Sequence, residues 1–352
     1  MSTTTKNVRA GAKTRVRLEA GQGAAVEWAA DARDTILRAA LRAGVPFPYE
    51  CNSGGCGSCK FEIIEGEVEE LWPDAPGLSP RDVRKGRKLA CQCRPKGDVV
   101  IKARLEEGRE ETPAPRRFSA TFRERRVLTP DMAEFVFEPE APPAYLPGQF
   151  AMFTIPGIAG DRAYSFSSAP QEGEGVLKFV IKRMPGGKAS NWLFDQLKPG
   201  ETLEMDAPYG LAYLRDTGRD MVLIGGGSGL SPMLSIARAA VLDERFAGRT
   251  VHMFYGGRGP RDICAPELVT ELKGHGATLA CYGACSDPDL AAREDWDGPV
   301  CNVHELVERT LSDLPAHDFY FCGPPPMTEA VQRMLMIDHK VPFEQLHFDR
   351  FF

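Results

Sequence analysis

Long apolar runs are missing from this sequence, in which no stretch approaches the roughly 20 apolar residues that a membrane-spanning helix needs. Residues 1–17 are basic and rich in serine and threonine, but they lack the apolar segment of about 7–15 residues that marks a secretory signal. We therefore expect no membrane association. We expect residues 1–13 to form a flexible tail, with a transit peptide as the less favoured alternative.

An excess of positive charge is also missing. The 352 residues carry a formal net charge of -6, which argues against a nucleic-acid-binding protein. The ten cysteines do not form the framework of a small disulfide-rich secreted domain, so a reducing, cytoplasmic location is expected. Internal repeats are absent, and the ordinary apolar content indicates a globular chain of two or three domains.

Four of the ten cysteines stand in a pattern that predicts a metal centre. Cys51, Cys56 and Cys59 have C-x4-C-x2-C spacing, and Cys91 follows far along the chain. This spacing is typical of plant-type [2Fe–2S] clusters, because three thiolates must converge from one loop while a distant cysteine completes the set. Glycines in such a loop are expected to adopt positive φ and to leave backbone N–H groups directed at the sulfurs. They are Gly54, Gly55 and Gly57.

Two alternatives to this metal-centre prediction remain. Zinc or a disulfide is the first, but structural zinc sites usually pair two short C-x2-C units, and this sequence has a glycine-rich loop with one remote cysteine. The second concerns the fourth ligand, because Cys93 lies only two residues beyond Cys91. We favour Cys91, since its Leu-Ala-Cys-Gln context is the one that plant-type ferredoxins carry.

The chain predicts three folded domains in series. Residues 14–108 combine short strands, one helix over residues 34–43 and the cysteine loop, which suits a β-grasp ferredoxin. A charged, proline-bearing linker is expected over residues 109–116. Residues 117–215 contain short β-rich runs punctuated by glycine and proline and predict an antiparallel β-barrel. Strand and helix alternate over residues 216–352, which predicts a doubly wound parallel sheet.

The predicted barrel carries an R-x-Y-S-x-x-S motif that begins at Arg162. Alternate side chains of a strand share a face, so Arg162 and Tyr164 point the same way. A guanidinium suits a phosphate, a phenol ring can lie against a flavin, and Ser165 can hydrogen-bond near the flavin N5. An ordinary strand with satisfied polar residues is an equally good interpretation of this motif alone.

Two glycine-rich segments predict phosphate binding by backbone amides at helix starts. Gly187, Lys188, Ala189 and Ser190 form the first segment. The second follows a buried strand and opens a helix, but it lacks the Rossmann G-x-G-x-x-G placement and an acidic residue for the ribose. It consists of Gly226, Gly227, Ser228 and Gly229. A tight turn before a helix explains either segment equally well.

The end of the last predicted parallel strand reads Cys322-Gly323-Pro324, at the sheet edge where ligands bind. Cys322 is interpreted as a group that positions a nicotinamide, or as a buried small residue before a rigid turn, because no histidine is paired with it to activate a nucleophile. The chain ends with three aromatics among five residues, of which Phe351 and Phe352 are the last two. An aromatic there either stacks on a flavin or anchors the core.

Taken in order, the cysteine loop, R-x-Y-S, the glycine loop and C-G-P-P resemble the ferredoxin–NADP-reductase-like flavoproteins with an N-terminal plant-type ferredoxin. The segments over residues 47–57, 71–78 and 347–352 are similar to the reductase components of toluene- and alkene-type diiron monooxygenases. One departure is Ser228, where the family often has threonine; the hydroxyl is kept. Another is the extension before Thr14.

This resemblance implies FAD at Arg162, Tyr164 and Ser165, with its pyrophosphate held by Gly187–Ser190. It implies NADH at Gly226–Gly229 and Cys322–Pro324, and a flavin-stacking aromatic at Phe351, with Phe352 as its rival. Ser165, Cys322 and Phe351 are thus the side chains expected to touch the reacting rings. NADPH is the alternative nucleotide, because Arg258 and Arg261 follow the second strand of the predicted sheet.

The implied function is a monomeric NADH:ferredoxin oxidoreductase that passes electrons from NADH through FAD and the cluster to a Rieske-type ferredoxin, and so to a diiron hydroxylase. One alternative is a reductase that donates directly to a hydroxylase or a ring-hydroxylating dioxygenase. Another is a reductase for a deoxysugar dehydratase, which the terminal residues disfavour. A redox-sensing binding module is the alternative from a different functional class.

Overall fold

The computed structural model describes residues 13–19, 25–106, 108, 111–173, 175–270 and 272–349. The chain divides into two compact units, and the division falls between Pro115 and Arg116. We call them the N-terminal unit and the C-terminal unit. The division lies inside the linker predicted over residues 109–116, and the finer domain boundaries stay predictions. Of the tail predicted over residues 1–13, residues 1–12 lie outside the described residues.

The N-terminal unit contains a mixed sheet in the order β2-β1-β7-β3-β5 and a small sheet that pairs β4 with β6. Strand β1 runs parallel to β7 and antiparallel to β2, and β3 is antiparallel to both β7 and β5. The strands are β1 Thr14–Leu18, β2 Val26–Ala30, β3 Lys60–Glu65, β4 Val68–Glu70, β5 Lys88–Leu89, β6 Cys93–Pro95 and β7 Val99–Lys102. The helices are α1 Ile36–Arg42 and α2 Pro80–Arg84, and a 3-10 turn covers Ala90–Gln92.

Local sequence explains the start and the burial of α1. The Thr35 hydroxyl caps the helix by accepting a hydrogen bond from the backbone N–H of Arg38 at 3.3 Å. Ile36, Leu37 and Ala40 recur at helical spacing and are fully buried. Gly44 follows the helix with φ 73°, a conformation that glycine adopts at little cost. The helix therefore covers the sheet just before the cysteine loop begins.

The C-terminal unit begins with an all-antiparallel sheet in the order β11-β10-β13-β8-β9-β12. The backbone N–H of Ser167 donates to the carbonyl of Lys178 at 2.7 Å, and this bond joins the two ends of the sheet into a barrel. Buried phenylalanine rings fill it, among them Phe137, Phe153 and Phe179 at centroid distances of 4.8–6.0 Å. The elements are β8 Arg116–Thr129, β9 Met132–Pro139, β10 Phe150–Thr154, β11 Arg162–Ser165, β12 Leu177–Lys182, α3 Lys188–Asp195 and β13 Thr202–Tyr209.

A parallel sheet in the order β16-β15-β14-β17-β18 follows in the same unit. The chain winds outward from β14 to β16 and then returns to β17 on the other side of β14. That reversal opens a crevice at the carboxyl ends of β14 and β17, where α/β proteins bind ligands. The elements are β14 Asp220–Gly226, α4 Leu230–Leu242, β15 Thr250–Gly257, α5 Ala265–Thr270, β16 Thr278–Cys285, α6 Pro288–Arg293, α7 Val303–Thr310, β17 His317–Cys322, α8 Pro325–Arg333, a π-helix over Met334–Asp338, and β18 Leu346–His347.

The predicted fold class is confirmed: a ferredoxin-type mixed sheet, an antiparallel barrel and a doubly wound parallel sheet occur in the predicted order. Sequence reasoning did not find α2, which Ser79 caps through a reciprocal pair of hydrogen bonds with Asp82. Within the described ranges no helix is long and apolar enough to cross a bilayer.

Candidate functional site

The sulfurs of the N-terminal unit converge where the sequence predicts. Cys51 Sγ lies 3.3 Å from Cys56 Sγ. The pKa of Cys91 is raised, mainly by contact with the Cys59 thiol and next by burial, with a further contribution from Cys51. The four cysteines of the predicted ligand set therefore form one group, although they come from a loop and a remote 3-10 turn.

Backbone N–H groups are directed at these sulfurs. Ser53 and Cys56 each donate to Cys51 Sγ at 3.4 Å, and Ser58 donates to Cys56 Sγ at 3.5 Å. Such bonds favour thiolate sulfur, because they place partial positive charge against it. The donors are not the glycines themselves, whose role is to let the loop curl.

The loop conformation corrects one prediction. Asn52, Gly54 and Gly57 have positive φ of 50°, 94° and 75°, but Gly55 is not in this conformation. The turn at residue 52 is made by asparagine, one of the few residues other than glycine that tolerate it. Three positive-φ residues within six positions let the loop curl tightly.

The segment Leu71–Leu78 braces the cysteine loop from outside. Gly77 donates its N–H to the Gly54 carbonyl at 3.0 Å. A Cβ on Gly57 would lie 2.4 Å from the Gly77 carbonyl oxygen, so the two backbones touch and only glycine fits. This contact gives a structural reason for one of the segments that carry the resemblance.

The described residues of the cysteine loop fit an iron–sulfur cluster. Asn52 is 1% exposed, and its side-chain nitrogen and oxygen have no hydrogen-bond partner within the described residues. A buried amide of this kind needs a partner, and the inorganic sulfides of a cluster supply an acceptor for its N–H. Cys93 lies apart, in β6 opposite Glu70, and burial raises the pKa of its thiol to about 12.

In the C-terminal unit, the R-x-Y-S motif forms β11, the strand at one end of the antiparallel sheet. Arg162 is exposed, and its Nη1 donates to the carbonyls of residues 159–161 at 3.2–3.3 Å, which fixes the guanidinium beside its own turn. Tyr164 packs edge-on against Phe153 with ring centroids 4.9 Å apart. Burial raises the pKa of Tyr164 to about 12, so its phenol stays protonated at neutral pH.

The strand that carries this motif is fastened to α4 by a stripe of polar side chains that sequence reasoning missed. The Ser231 hydroxyl donates to the Ser165 carbonyl at 2.7 Å and accepts from the Val180 N–H at 2.9 Å. The Ser235 hydroxyl donates to the Ser168 carbonyl at 2.6 Å. Arg238 Nη1 donates to the Ser167 carbonyl, also at 2.6 Å.

A buried ion pair completes the stripe. Arg238 Nη1 lies 3.3 Å from Glu134 Oε1, and the Ser167 hydroxyl donates to that same oxygen at 2.9 Å. Positions 231, 235 and 238 follow the i, i+4, i+7 spacing of one helix face. Three polar residues on one face of an otherwise apolar helix were the signal in the sequence that could have revealed this face.

The first glycine-rich segment is a turn that opens α3. Gly187 precedes the helix, and a Cβ there would lie 2.8 Å from both Met184 Cβ and Ser190 Oγ. The Ser190 hydroxyl accepts from the Met184 N–H at 3.0 Å, so it holds the turn together. Backbone N–H groups at the start of α3 remain available for an anion, as they are at any helix N-terminus.

The second glycine-rich segment, Gly226–Gly229, packs directly on Cys322–Pro324 across the crevice between β14 and β17. A Cβ on Gly229 would lie 1.9 Å from the Cys322 carbonyl oxygen, and one on Gly226 would lie 2.7 Å from Met327 Sδ. Gly227 has φ 55°. Backbone-to-backbone contact thus requires glycine at residue 229, and the Met327 side chain limits residue 226. The two predicted nucleotide segments form one surface.

A cleft of about 570 Å³ opens beside this surface. Lys182 pairs with Asp131 at 3.1 Å on one side, and Arg258 pairs with Asp262 at 3.3 Å on the other. Its remaining lining includes the backbone of Gly226 and Gly227, the Tyr255 ring, Asn302, Pro324 and Met327. Backbone, ring and paired charges together suit a dinucleotide, which is polar along its length but flat at its bases.

Cys322 ends β17 beside Gly229. Burial, with a smaller contribution from Asp349, raises the pKa of its thiol to about 12. The side chain is therefore a neutral thiol at physiological pH, which agrees with a positioning group and disfavours a nucleophile. The predicted residues Phe351 and Phe352 lie outside the described residues; before them, Phe348 stacks on Phe321 at 4.6 Å and Asp349 accepts from the Leu211 N–H at 3.3 Å.

Family models match three segments of the chain in the order of its folded elements. A 2Fe-2S iron-sulfur cluster binding domain matches residues 20–96, an oxidoreductase FAD-binding domain matches 119–213, and an oxidoreductase NAD-binding domain matches 223–333. The three cofactor types predicted from the sequence are thereby confirmed.

Similar proteins serve oxygenases. The chain is 41% identical to the ferredoxin–NAD(P)+ reductase CarAd of Metapseudomonas resinovorans over 90% of this chain and 94% of that protein. It is 40% identical to the ferredoxin–NAD+ reductase component of the alkene monooxygenase system of Xanthobacter autotrophicus, over 90% and 95%. The solved ferredoxin reductase in carbazole 1,9a-dioxygenase matches with a TM-score of 0.83 and 36% identity, over 97% of this chain and 100% of that one.

Proposed function

This chain belongs to the [2Fe–2S] flavoprotein ferredoxin–NAD(P)+ reductases that act as electron-transfer components of oxygenases, and from that premise we propose that it is the NADH:ferredoxin oxidoreductase of a soluble diiron monooxygenase. Bound FAD and the bound cluster supply the conversion of a two-electron hydride donor into single electrons. The observation that carries the proposal is the surface formed by Gly226–Gly229 against Cys322–Pro324, because it lies next to the barrel strand predicted to hold FAD.

In the N-terminal unit we assign the cluster to Cys51, Cys56, Cys59 and Cys91. The geometry that supports this assignment is the convergence of the four thiols and the N–H groups directed at Cys51 and Cys56. Cys93 is assigned a packing role, because it lies in β6 opposite Glu70 of β4 and burial raises the pKa of its thiol to about 12.

For FAD we assign Arg162, Tyr164 and Ser165 to the flavin side and the start of α3, Gly187–Ser190, to the pyrophosphate. The α4 stripe supports this assignment, because Ser231 fixes the carbonyl of Ser165 and so sets where β11 ends. Tyr164 offers a protonated phenol on a rigid ring. Phe351, or Phe352 in its place, is assigned to the flavin face from the sequence alone.

For the nucleotide we assign Gly226–Gly229 and Cys322–Pro324, and we propose NADH over NADPH. The two arginines that would favour NADPH are already engaged: Arg258 Nε lies 3.3 Å from Asp262 and Arg261 Nε lies 3.8 Å from Glu294. A 2′-phosphate beside Asp262 would meet a carboxylate and would have to displace it from Arg258. A ribose hydroxyl can instead donate to that carboxylate.

The nucleotide preference is tested by replacing Asp262 with asparagine and comparing NADH with NADPH in cytochrome c reduction. Removing the carboxylate leaves Arg258 available for a 2′-phosphate, so we expect kcat/KM for NADPH to rise by about tenfold, the equivalent of roughly 1.4 kcal/mol. Asp216→Asn, which removes the carboxylate partner of Arg249 outside the cleft, is the matched control. A wild-type protein that already prefers NADPH would overturn the choice of NADH.

For the acceptor we propose a Rieske-type ferredoxin that feeds a diiron hydroxylase of the toluene or alkene type, such as toluene 4-monooxygenase. The similar proteins favour an oxygenase partner, and the alkene monooxygenase component is named as a ferredoxin–NAD+ reductase. The competing function, direct donation to a hydroxylase or dioxygenase, keeps the same cofactors. We further propose that the chain acts as a monomer, which light scattering of the purified holoprotein would measure.

Reconstitution distinguishes these acceptors. NADH oxidation coupled to substrate hydroxylation is measured with the purified hydroxylase, with and without a Rieske-type ferredoxin. We expect product formation to depend on the added ferredoxin. Equal rates without it would establish direct donation, and an absence of repeated NADH turnover with any acceptor would favour a redox-sensing protein.

A further inference from the structure

Three metal-binding side chains meet at the edge of the parallel sheet opposite the nucleotide cleft. Asp220 begins β14, His317 begins β17, and His252 is the third residue of β15. Each offers one ligand atom, and these atoms all lie within 4.8 Å of one another. We infer that Asp220, His252 and His317 form a binding site for a divalent transition-metal ion such as Zn²⁺, separate from the redox cofactors.

Sheet register places the three on one face. Asp220 is the direct partner of His317, and His252 is the partner of Val222, two residues along the same strand from Asp220. Side chains of residues i and i+2 in a strand share a face, so all three lie on the side that carries the buried Val222 and Phe319. The three strands β15, β14 and β17 are neighbours, which brings the ligand atoms together without any loop.

Hydrogen bonds orient two of the ligands. Asp220 Oδ1 accepts from the Thr250 N–H at 2.8 Å, which leaves the other carboxylate oxygen for a metal. His317 Nδ1 lies 2.8 Å from the Asp313 carbonyl. Because a carbonyl only accepts, Nδ1 carries the proton and the lone pair of the neutral ring is on Nε2. Metal-binding histidines usually have this second bond.

The third ligand is held by packing. The His252 ring lies between Tyr282, parallel to it at 6.3 Å, and His317 at 5.9 Å. Its Nδ1 is buried and has no hydrogen-bond partner among the described residues. Within the described part of the chain, no two of the three side chains hydrogen-bond each other. Sheet register brings the three side chains together, and no hydrogen bond among them takes up the ligand atoms that a shared ion would use.

Two imidazoles and a carboxylate are a common ligand set for zinc and for iron(II), nickel(II) and cobalt(II). Zinc–ligand bonds of about 2.0–2.1 Å in a tetrahedron place ligand atoms about 3.4 Å apart, so binding draws these side chains together by small rotations. All three residues are partly exposed, which lets water supply the remaining ligand. An ion there would link the amino ends of three neighbouring strands.

The test uses the holoprotein with FAD and cluster intact. After dialysis against a chelator, it is equilibrated with Zn²⁺, and zinc and iron are counted by atomic emission. We expect one zinc per chain in the wild type. In Asp220→Asn, which retains an acceptor for Thr250, and in His317→Gln, we expect the affinity to fall at least about tenfold.

The matched control is His339→Gln, because His339 is half-exposed and contacts a single carboxylate, that of Glu308. We expect it to keep the wild-type zinc. Retained flavin absorbance shows that each variant is folded, and the X-ray absorption spectrum of bound zinc should show nitrogen and oxygen ligands only. Equal zinc in wild type and Asp220→Asn, or sulfur ligands at about 2.3 Å, would overturn the inference.

Discussion

The cysteine loop of the N-terminal unit and the nucleotide surface of the C-terminal unit differ in whether side chains or backbone atoms form the candidate binding surface. In the first, side chains do the binding: four thiols converge and the backbone serves them. In the second, the backbone forms the surface, since Gly229 and Cys322 touch through main-chain atoms and few side chains intervene. A site formed by side chains depends on which residues are present, whereas a site formed by backbone depends on glycines, whose missing Cβ allows close approach.

The largest effect is expected when the two neighbouring cysteines, Cys91 and Cys93, are each replaced by serine in separate variants. In Cys91→Ser the cluster loses a thiolate from the converged group, so we expect iron and acid-labile sulfide to be lost and cytochrome c reduction to fall by more than an order of magnitude. Cys93→Ser, whose residue pairs in β6, is the control and should retain both. Loss of the cluster in the Cys93 variant alone would reverse the assignment.

A second test concerns the α4 stripe, on which the position of β11 depends. Arg238→Met leaves Glu134 buried and without its cation, and removing one partner of a buried pair costs about 3–5 kcal/mol. We expect the free energy of unfolding of the holoprotein to fall by this amount and FAD to bind more weakly. The double variant Arg238→Met with Glu134→Gln should regain part of the loss, because the uncompensated charge is removed; no recovery would mean that the ion pair is not the cause.

The smallest expected effect tests the backbone surface itself. In Gly229→Ala the added Cβ would lie only 1.9 Å from the Cys322 carbonyl oxygen, so the two segments must separate. We expect this to lower the free energy of unfolding by about 1–3 kcal/mol. We expect KM for NADH to rise together with a lower unfolding temperature. Gly97→Ala, which adds a Cβ with nothing within 4 Å, is the control and should change neither. An unchanged KM in Gly229→Ala would show that the contact is dispensable.

Sequence reasoning predicted which residues converge in the cysteine loop more directly than which segments pack at the nucleotide surface, and the reason is physical. Cysteine spacing states the ligand set directly, so Cys51, Cys56, Cys59 and Cys91 were predicted and the structure brings them together. A glycine run does not state its partner. That Gly229 packs on Cys322 depends on a crossover of nearly a hundred residues, and no local pattern encodes it.

Other features escaped prediction for similar reasons. Ser231, Ser235 and Arg238 bond to carbonyl groups of another segment, and a carbonyl is present at every residue, so the sequence does not mark the acceptor. Asp262 was missed as a cleft residue because it follows β15 in a short turn rather than at the fingerprint position for a ribose. Gly55 was assigned a conformation that Asn52 adopts instead.

The polar stripe on α4 has one further consequence. Helix α4 starts at the glycine loop and carries Ser231, Ser235 and Arg238. This one helix therefore sets the spacing between the barrel strand and the nucleotide loop. Consider a chimaera that takes its parallel sheet from a distant reductase. Its barrel and parallel sheet would be misaligned unless the side chains at positions 231, 235 and 238 can still bond to the carbonyls of the recipient barrel. Modular exchange among these reductases is thus constrained by three side chains that hydrogen-bond to backbone carbonyls at the end of β11 and just beyond it.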